Sequence, residues 1–455
     1  MKSIVYTLRL ISDRNVYCPI GLALFSFAVG LFQIEAATPH HKSSPNIVLI
    51  ISDDQAWTDY SFMDHPQILT PNLDRLASQS LTFSRGYVPS SLCCPSLASI
   101  LTGRYPHQHG ITGNDPPMPL TAEKSEARKS PEYLKGREQM NTFMERVPTL
   151  PRILADRGYL SLQTGKWWQG NFRHGGFTHG MTDGEPAHGG RHGDEGLVIG
   201  RKTMQPIYDF VEMATKEQKP FFIWYAPMMP HLPHNPPERL LAKYRDKTPS
   251  LQVAKYWATV EWFDETCGEL LGYLDKQGLA ENTMVVYVTD NGYIQDPNGV
   301  DYAPKSKQSQ YDGGLRTPLM IRWPGHVKPH KSAALASSLD LAPTLLKATG
   351  IETPSDLTGI NLLDKSAVKR RDIVFGECFT HDIKDLGYPT KSLRFRWCVE
   401  GDWKLIVPNK INEPNQAVEL YNLAADPFEE RNLVAKEVRR VTRLQKQLDK
   451  WWAGK

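Results

Sequence analysis

The sequence predicts an α/β fold built on a large, mostly parallel central sheet, and three observations carry that prediction. Asn46–Ser52 (NIVLIIS), Pro220–Tyr225 (PFFIWY) and Met284–Thr289 (MVVYVT) are short, continuous apolar runs, the pattern of strands covered on both faces. Helical stripes lie elsewhere in the chain, the clearest in Tyr256–Asp275 with Trp257, Val260, Phe263, Leu270, Leu271 and Leu274 on one side. The first and third runs stop abruptly in polar pairs, Asp53-Asp54 and Asp290-Asn291. Open α/β sheets place their ligands at such strand ends.

A chain of 455 residues accommodates one large domain and a smaller one, and 40% hydrophobic with 23% charged residues is ordinary for a globular protein. A net charge of +3 gives no basis for a nucleic-acid partner, so any anionic ligand must be met by a local cluster. At the N-terminus Lys2, Arg9 and Arg14 precede an apolar run from Pro19 to Phe32, and Ile34-Glu35-Ala36 resembles a small-residue cleavage site. Residues 1–37 are therefore expected to be a signal peptide, which places the mature protein outside the cell or in a periplasm. A retained anchor is the alternative. No later stretch is apolar enough to span a bilayer, so no stable membrane insertion is expected. Of the six cysteines, Cys18 leaves with the signal. The odd remainder (Cys93, Cys94, Cys267, Cys378, Cys398) leaves at least one unpaired or chemically altered in an oxidising compartment. Cys378 and Cys398 are close enough in sequence to pair.

Each element has a local reason. Asn72–Gln79 has helical spacing and Leu81–Tyr87 is a strand leading into Ser90–Gly110 (SSLCCPSLASILTGRYPHQHG). There Pro95 suits a first helical turn and Gly103 a helix end, so Cys93 falls at or just before a helix N-terminus, where free N–H groups favour an anion. A small buried hydrophobe is the competing reading of Cys93. Ala122–Arg146 is charged and poor in periodicity, which predicts a surface insertion. Thr149–Arg157 is a short amphipathic helix, and Gly158 opens a strand ending in Lys166, Trp167 and Trp168. Gly170–Gly193 carries His174, His179, His188 and His192 without any helix or strand pattern and is expected to be a loop. The proline-dense segment after Tyr225 is a rigid loop that aims His231 and His234. Lys307–Pro318 holds a lysine and an arginine around a Gly-Gly turn, then Leu319–Trp323 is a strand and Leu339–Ala348 a helix. From about Asp372, short alternating strands (Ile373–Phe375, Arg394–Glu400, Lys404–Val407) predict a small antiparallel sheet. A basic amphipathic helix, Val438–Trp452, should pack on it through Val438, Val441, Leu444, Leu448 and Trp451. The expected division is a catalytic domain over residues 38–370 and an α+β subdomain over 371–455.

Two acidic strand ends far apart in sequence point to a metal. Paired like charges are costly to bury unless a cation compensates, and oxygen donors suit a hard dication. A helix cap followed by a turn carboxylate is the alternative for Asp53-Asp54 taken alone.

Nearly everything after the signal region resembles the type I sulfatases of the alkaline-phosphatase-like superfamily. The residues that carry the resemblance are Asp53-Asp54, Cys93-Cys94-Pro95-Ser96, Leu101-Thr102-Gly103-Arg104, Gly165-Lys166-Trp167 and Pro230-His231. Thr289-Asp290-Asn291-Gly292, Tyr311-Asp312-Gly313-Gly314, Ser337–Ile351 and Glu419–Asp426 continue it in the same order. The resemblance implies an alkaline-phosphatase-like α/β/α sandwich and hydrolysis of a sulfate ester, with a sulfated carbohydrate as the expected substrate. It implies conversion of Cys93 to formylglycine (3-oxoalanine) by a modifying enzyme, the hydrate being the nucleophile. It further implies Ca²⁺, or Mg²⁺, held by Asp53, Asp54, Asp290 and Asn291 with the modified Cys93. Asp290 would accept the nucleophile's proton, Lys166 and Lys307 would bind sulfate oxygens, and His231 would stabilise or protonate the leaving oxygen. Two positions depart from the family pattern. Leu97 stands where an arginine is usual, which weakens the positive potential of the site. Trp168 stands where a histidine is frequent, with His174 or His179 the nearby substitutes. The competing functions are a non-catalytic sulfoglycan-binding protein of the same fold and a phosphodiester or phosphonate hydrolase of the same superfamily.

Overall fold

The computed structural model describes residues 44–119, 123–184 and 194–454. The expected signal segment (1–37), His188 and His192 lie outside the described residues. Eight strands form the main sheet: β1 (Asn46–Ser52), β2 (Leu81–Tyr87), β3 (Leu160–Gly165), β4 (His179–Gly180), β5 (Phe221–Ala226), β6 (Thr283–Thr289), β7 (Arg316–Arg322) and β8 (His330–Ser337), in the order β4-β3-β5-β1-β6-β7-β2-β8. All neighbours run parallel except β7, which is antiparallel to both β6 and β2. The apolar runs are continuous because both faces are covered. On β1, Ile47, Leu49 and Ile51 enter one core with the helices Cys93–Thr102 and Leu341–Ala348, while Val48 and Ile50 enter another with the helices Pro71–Ser78, Gln205–Lys216 and Leu251–Lys276.

A second sheet contains β9 (Ile373–Phe379), β10 (Leu393–Glu400), β11 (Trp403–Pro408) and β12 (Glu419–Asn422), all antiparallel in the order β12-β11-β10-β9. Trp397, Val399 and Ile406 turn one face toward Tyr87 and Leu315 of the main sheet region; Cys398, Leu405 and Leu420 turn the other toward the helix Val438–Trp451. Leu444 and Leu448 of that helix are fully buried, a contribution of about 2 kcal/mol each. Val438, expected on the same packing face, is instead exposed at the start of the helix, before the stripe reaches the sheet.

Two expectations are corrected. Cys378 and Cys398 are both free thiols. Cys378 is opposite Phe395 and Cys398 opposite Phe375, and the two side chains point to opposite faces of the small sheet, which no disulfide can bridge. The Ala122–Arg146 stretch is not a structureless insertion. Pro131–Arg146 is a helix capped by Ser130, and Tyr133, Gly136, Met140 and Met144 form its buried stripe, with both methionines in the main core. Gly136 and Asn141 on that stripe hide the period from a reading of apolar residues alone.

Candidate active site

The site forms where β1 and β6 end side by side. These strands are in register from Asn46–Thr283 to Ser52–Thr289, so Asp53-Asp54 and Asp290-Asn291 leave the sheet together. Asp290 N donates to Ser52 O (2.9 Å) and Asp53 N to Met229 O (3.0 Å), which ties in the loop carrying His231. Asp54 has φ +62°, a conformation a non-glycine residue holds only when its surroundings fix it. Here they do: its N–H donates to Asp290 Oδ1 (3.1 Å), and its Oδ1 accepts from Asn291 Nδ2 (2.7 Å). Gly292 follows, and a Cβ there would lie 2.2 Å from Gly313 O, so the Gly-Gly turn can press against the strand end only because neither side carries a side chain.

Cys93 opens the helix Cys93–Thr102 and is 1% exposed. Ligand atoms of Asp53, Asp54, Cys93 and Asp290 all lie within 4.8 Å of one another. Oxygens around one Ca²⁺ at about 2.4 Å can be no farther apart than about 4.8 Å, so this cluster has the dimensions of a single site. Asp53 Oδ2, Asp290 Oδ2 and Asn291 Oδ1 are buried with no hydrogen-bond partner among the described residues. Orphaned buried oxygens converging on one point fit a cation. The Cys93 sulfur is the one soft atom in a set of hard donors. Burial pushes its thiol up to about 12, and Lys166 and Lys307 only partly oppose that. It is therefore no thiolate nucleophile in this setting.

Lysines reach in from two other elements. Lys166, just past β3, donates to Asp53 Oδ1 (2.6 Å) and lies 3.5 Å from Asp290 Oδ2. Lys307 donates to Asp54 Oδ2 (2.6 Å). It sits between two residues of positive φ, Lys305 and Gln308, anchored by Gln308 N to Ser91 O (3.0 Å) and by Lys305 Nζ to Glu429 O. Burial disfavours charge on both lysines, but the carboxylates outweigh it and hold them well above the usual lysine value. Burial likewise pushes Asp290 up to about 8, whereas Lys307, His231 and Lys166 overcome burial at Asp54 and keep its carboxyl well below the usual range. His231 Nδ1 donates to Leu232 O (2.6 Å), which directs Nε2 to 3.5 Å from Asp54 Oδ2. His234 instead packs against Tyr256 and Tyr293.

All eight expected site residues are thus brought together, and neither proposed substitute histidine joins them. His174 Nδ1 donates to Gln169 O (2.8 Å) with Nε2 near Glu145, and His179 packs on Phe210 beside the sheet edge. Leu97 is 2% exposed and part of the main core. The cleft over the site, about 420 Å³, is lined by Asp54, Cys93, His231 and Lys307 at its base, and by Asn114, Lys124, Trp168, Tyr302, Asp301, His381 and Asp382 farther out. None of the outer residues was singled out from the sequence except Trp168. A His-Asp pair at the end of a strand was the one available signal for His381 and Asp382.

A family model described as sulfatase matches residues 45–351. The chain belongs to the sulfatase family. A second model, described as N-sulphoglucosamine sulphohydrolase, C-terminal, matches residues 303–453. This sulfatase is 30% identical over 382 residues to N-acetylgalactosamine-6-sulfatase of Mus musculus, covering 75% of this chain and 69% of that one. It is also 30% identical over 366 residues to arylsulfatase A of Homo sapiens, covering 70% and 67%. The crystal structure of Ps i-CgsB in complex with k-i-k-neocarrahexaose has the same fold, with a TM-score of 0.70 at 22% identity over 91% of this chain and 94% of that one. The sulfatase has the expected alkaline-phosphatase-like architecture, and no described helix is long and apolar enough to cross a membrane.

Proposed function

We propose that this sulfatase hydrolyses a sulfate ester of a carbohydrate, with Cys93 converted to formylglycine and a divalent cation, Ca²⁺ or Mg²⁺, held by Asp53, Asp54, Asp290 and Asn291. The observation that carries the reading is the cluster of Asp53, Asp54 and Asp290 ligand atoms within 4.8 Å of one another and of Cys93, with Asp53 Oδ2 and Asp290 Oδ2 buried and without hydrogen bonds among the described residues. The modified residue would supply an oxygen nucleophile in place of sulfur, completing an all-oxygen donor set, and the cation would supply Lewis acidity.

The remaining roles belong to the chain's own side chains. Asp290, whose ligand atom lies within 4.8 Å of Cys93 Sγ, would accept the nucleophile's proton. Lys166 and Lys307 stay charged and meet the oxygens of the sulfate. His231, with Nδ1 committed to Leu232 O, presents Nε2 to the leaving oxygen. The carbohydrate reading is supported by relatives such as N-acetylgalactosamine-6-sulfatase. Removal of residues 1–37, secretion or a periplasmic location, action of a formylglycine-generating partner, and division into a catalytic part (38–370) and a C-terminal subdomain (371–455) belong to the same proposal.

The intact mass of the peptide containing Cys93 tests it. Conversion of the thiol to an aldehyde lowers the mass by about 18 Da. Active enzyme in which Cys93 remains an unmodified thiol would falsify the formylglycine mechanism; unmodified protein that binds sulfated sugars without turnover would instead favour the non-catalytic reading.

A further inference from the structure

Beyond the sulfate-binding base, the cleft changes character. Its inner cations are Lys166 and Lys307, whereas among the described residues its outer lining contains two carboxylates, Asp301 and Asp382, against one lysine, Lys124. His381 and Asp382 come from the turn after β9 and are held in place by the catalytic part of the chain. Asn114 N donates to His381 O (2.8 Å), Ile383 N donates to Asp115 O (2.8 Å), and Thr380 Oγ1 donates to Asp382 O (2.7 Å). The approach is so close that a Cβ on Gly113 would lie 2.7 Å from His381 O. Within the pair, the Asp382 carboxylate can only accept, so His381 Nδ1 donates to its Oδ1 (2.6 Å) and fixes the ring with Nε2 toward Asn114 Nδ2 (3.4 Å). Asn114 Oδ1 in turn accepts from Cys94 N (3.0 Å), beside the nucleophile position. A wall fixed to this degree, with both side chains about one-third exposed to the cleft, is built for contact with a ligand.

We propose that His381, Asp382 and Asp301 form the specificity-determining wall of the site and select a sugar ring that carries one sulfate and has free hydroxyls beside it. The inference rests on the sulfate-ester reading above and narrows its substrate class. Carboxylates accept hydrogen bonds from hydroxyl groups, with His381 orienting Asp382, while the same carboxylates repel a second sulfate or a uronate carboxylate on the ring. One anionic group goes inward to the lysines and the neutral hydroxyls stay outward.

The test compares three probes on wild type, Asp301→Asn, Asp382→Asn and His381→Gln. The probes are N-acetylgalactosamine 6-sulfate, N-acetylgalactosamine 4,6-disulfate and 4-methylumbelliferyl sulfate. Each substitution is expected to raise KM for the monosulfated sugar about tenfold, the loss of one hydrogen bond to a charged or oriented group, with kcat/KM on the umbelliferyl ester within twofold of wild type. The wild type should prefer the monosulfated over the disulfated sugar at least about tenfold, and Asp301→Asn should narrow that ratio. Asp301 is on an exposed turn, so this variant separates recognition from folding. Equal losses on sugar and aryl esters, or an unchanged KM for the sugar, overturn the proposal. If wild type turns over none of the probes, the sulfate-ester reading fails by itself. Calorimetric binding of N-acetylgalactosamine 6-sulfate then decides the wall: about tenfold weaker binding by the variants supports it, and equal or absent binding overturns it.

Discussion

Lys166 and Lys404 are both buried lysines held between carboxylates, in two clusters on either side of the Gly313-Gly314 turn. Around Lys404, Nζ lies 2.8 Å from Asp312 Oδ1 and 2.8 Å from Glu429 Oε1, Asp312 Oδ2 accepts from Tyr87 Oη (3.1 Å), and Glu429 Oε2 accepts from Asp312 N (2.6 Å). Three of the four carboxylate oxygens accept hydrogen bonds, and the fourth, Glu429 Oε1, has only the ion-pair contact with Lys404. Around Lys166, the partners stop at Asp53 Oδ1 and a longer approach to Asp290, and three oxygens remain unsatisfied. The first cluster is closed and fastens β11 of the small sheet to the turn that follows Lys307. The second is open toward one point. Residue types are nearly the same in both, so how closely the lysine meets the carboxylates, not the composition, distinguishes a clamp from a ligand site.

That contrast can be broken from either side. Asp290→Asn should cost at least about a thousandfold in kcat while leaving the thermal midpoint no lower than wild type, because burial already opposes a charged carboxylate at this position. A large fall in midpoint would show that the open cluster is structural after all. Lys404→Met should do the reverse. Leaving Asp312 and Glu429 buried without their cation costs about 3–5 kcal/mol, read by chemical denaturation. Addition of Ca²⁺ at a hundred times its dissociation constant should stabilise wild type by about 2.7 kcal/mol and Asp290→Asn far less, seen as the shift in midpoint between Ca²⁺ and chelator. The smallest effect concerns pH. Burial, only partly offset by Lys404, pushes Glu429 up to about 7 from an ordinary 4.5. A raised folded value means that the protonated form is favoured by folding, so this group's stabilisation is complete below about 4.5 and is lost as pH rises through 7. Glu429→Gln should flatten that part of the stability curve, and an unchanged slope between pH 4.5 and 7 would count against the assignment.

The inner site was legible in the sequence because each part is local. An apolar run that ends in Asp53-Asp54, a second that ends in Asp290-Asn291, and a Cys-Cys-Pro-Ser turn each declare themselves over a few residues. The sheet then only had to put β1 next to β6. The His381–Asp382 part of the outer wall was not legible. His381 and Asp382 are almost three hundred residues from Cys93 in sequence, and only the backbone pairing of segments 113–115 and 381–383 makes them neighbours. The helix Pro131–Arg146 was missed for a different reason: glycine and asparagine occupy its buried stripe, although Ser130-Pro131 was a readable start signal. β8 is similarly inconspicuous, an edge strand of HKSAALAS whose first residues are exposed and whose side chains are mostly small. His174 and His179 were suspected from nearness in sequence alone, and sequence distance says little about what a loop turns inward.

The close seam at Gly113 has a consequence for how such enzymes diversify. On the proposals above, the residues that would hold the metal and the sulfate precede residue 308, as does Asp301 of the rim, while the His381–Asp382 part of the rim follows the first strand of the small sheet. A short exchange over 380–384 between related chains, with a glycine kept at 113 to admit the graft, should transplant the His381–Asp382 share of substrate preference without disturbing the residues beneath it.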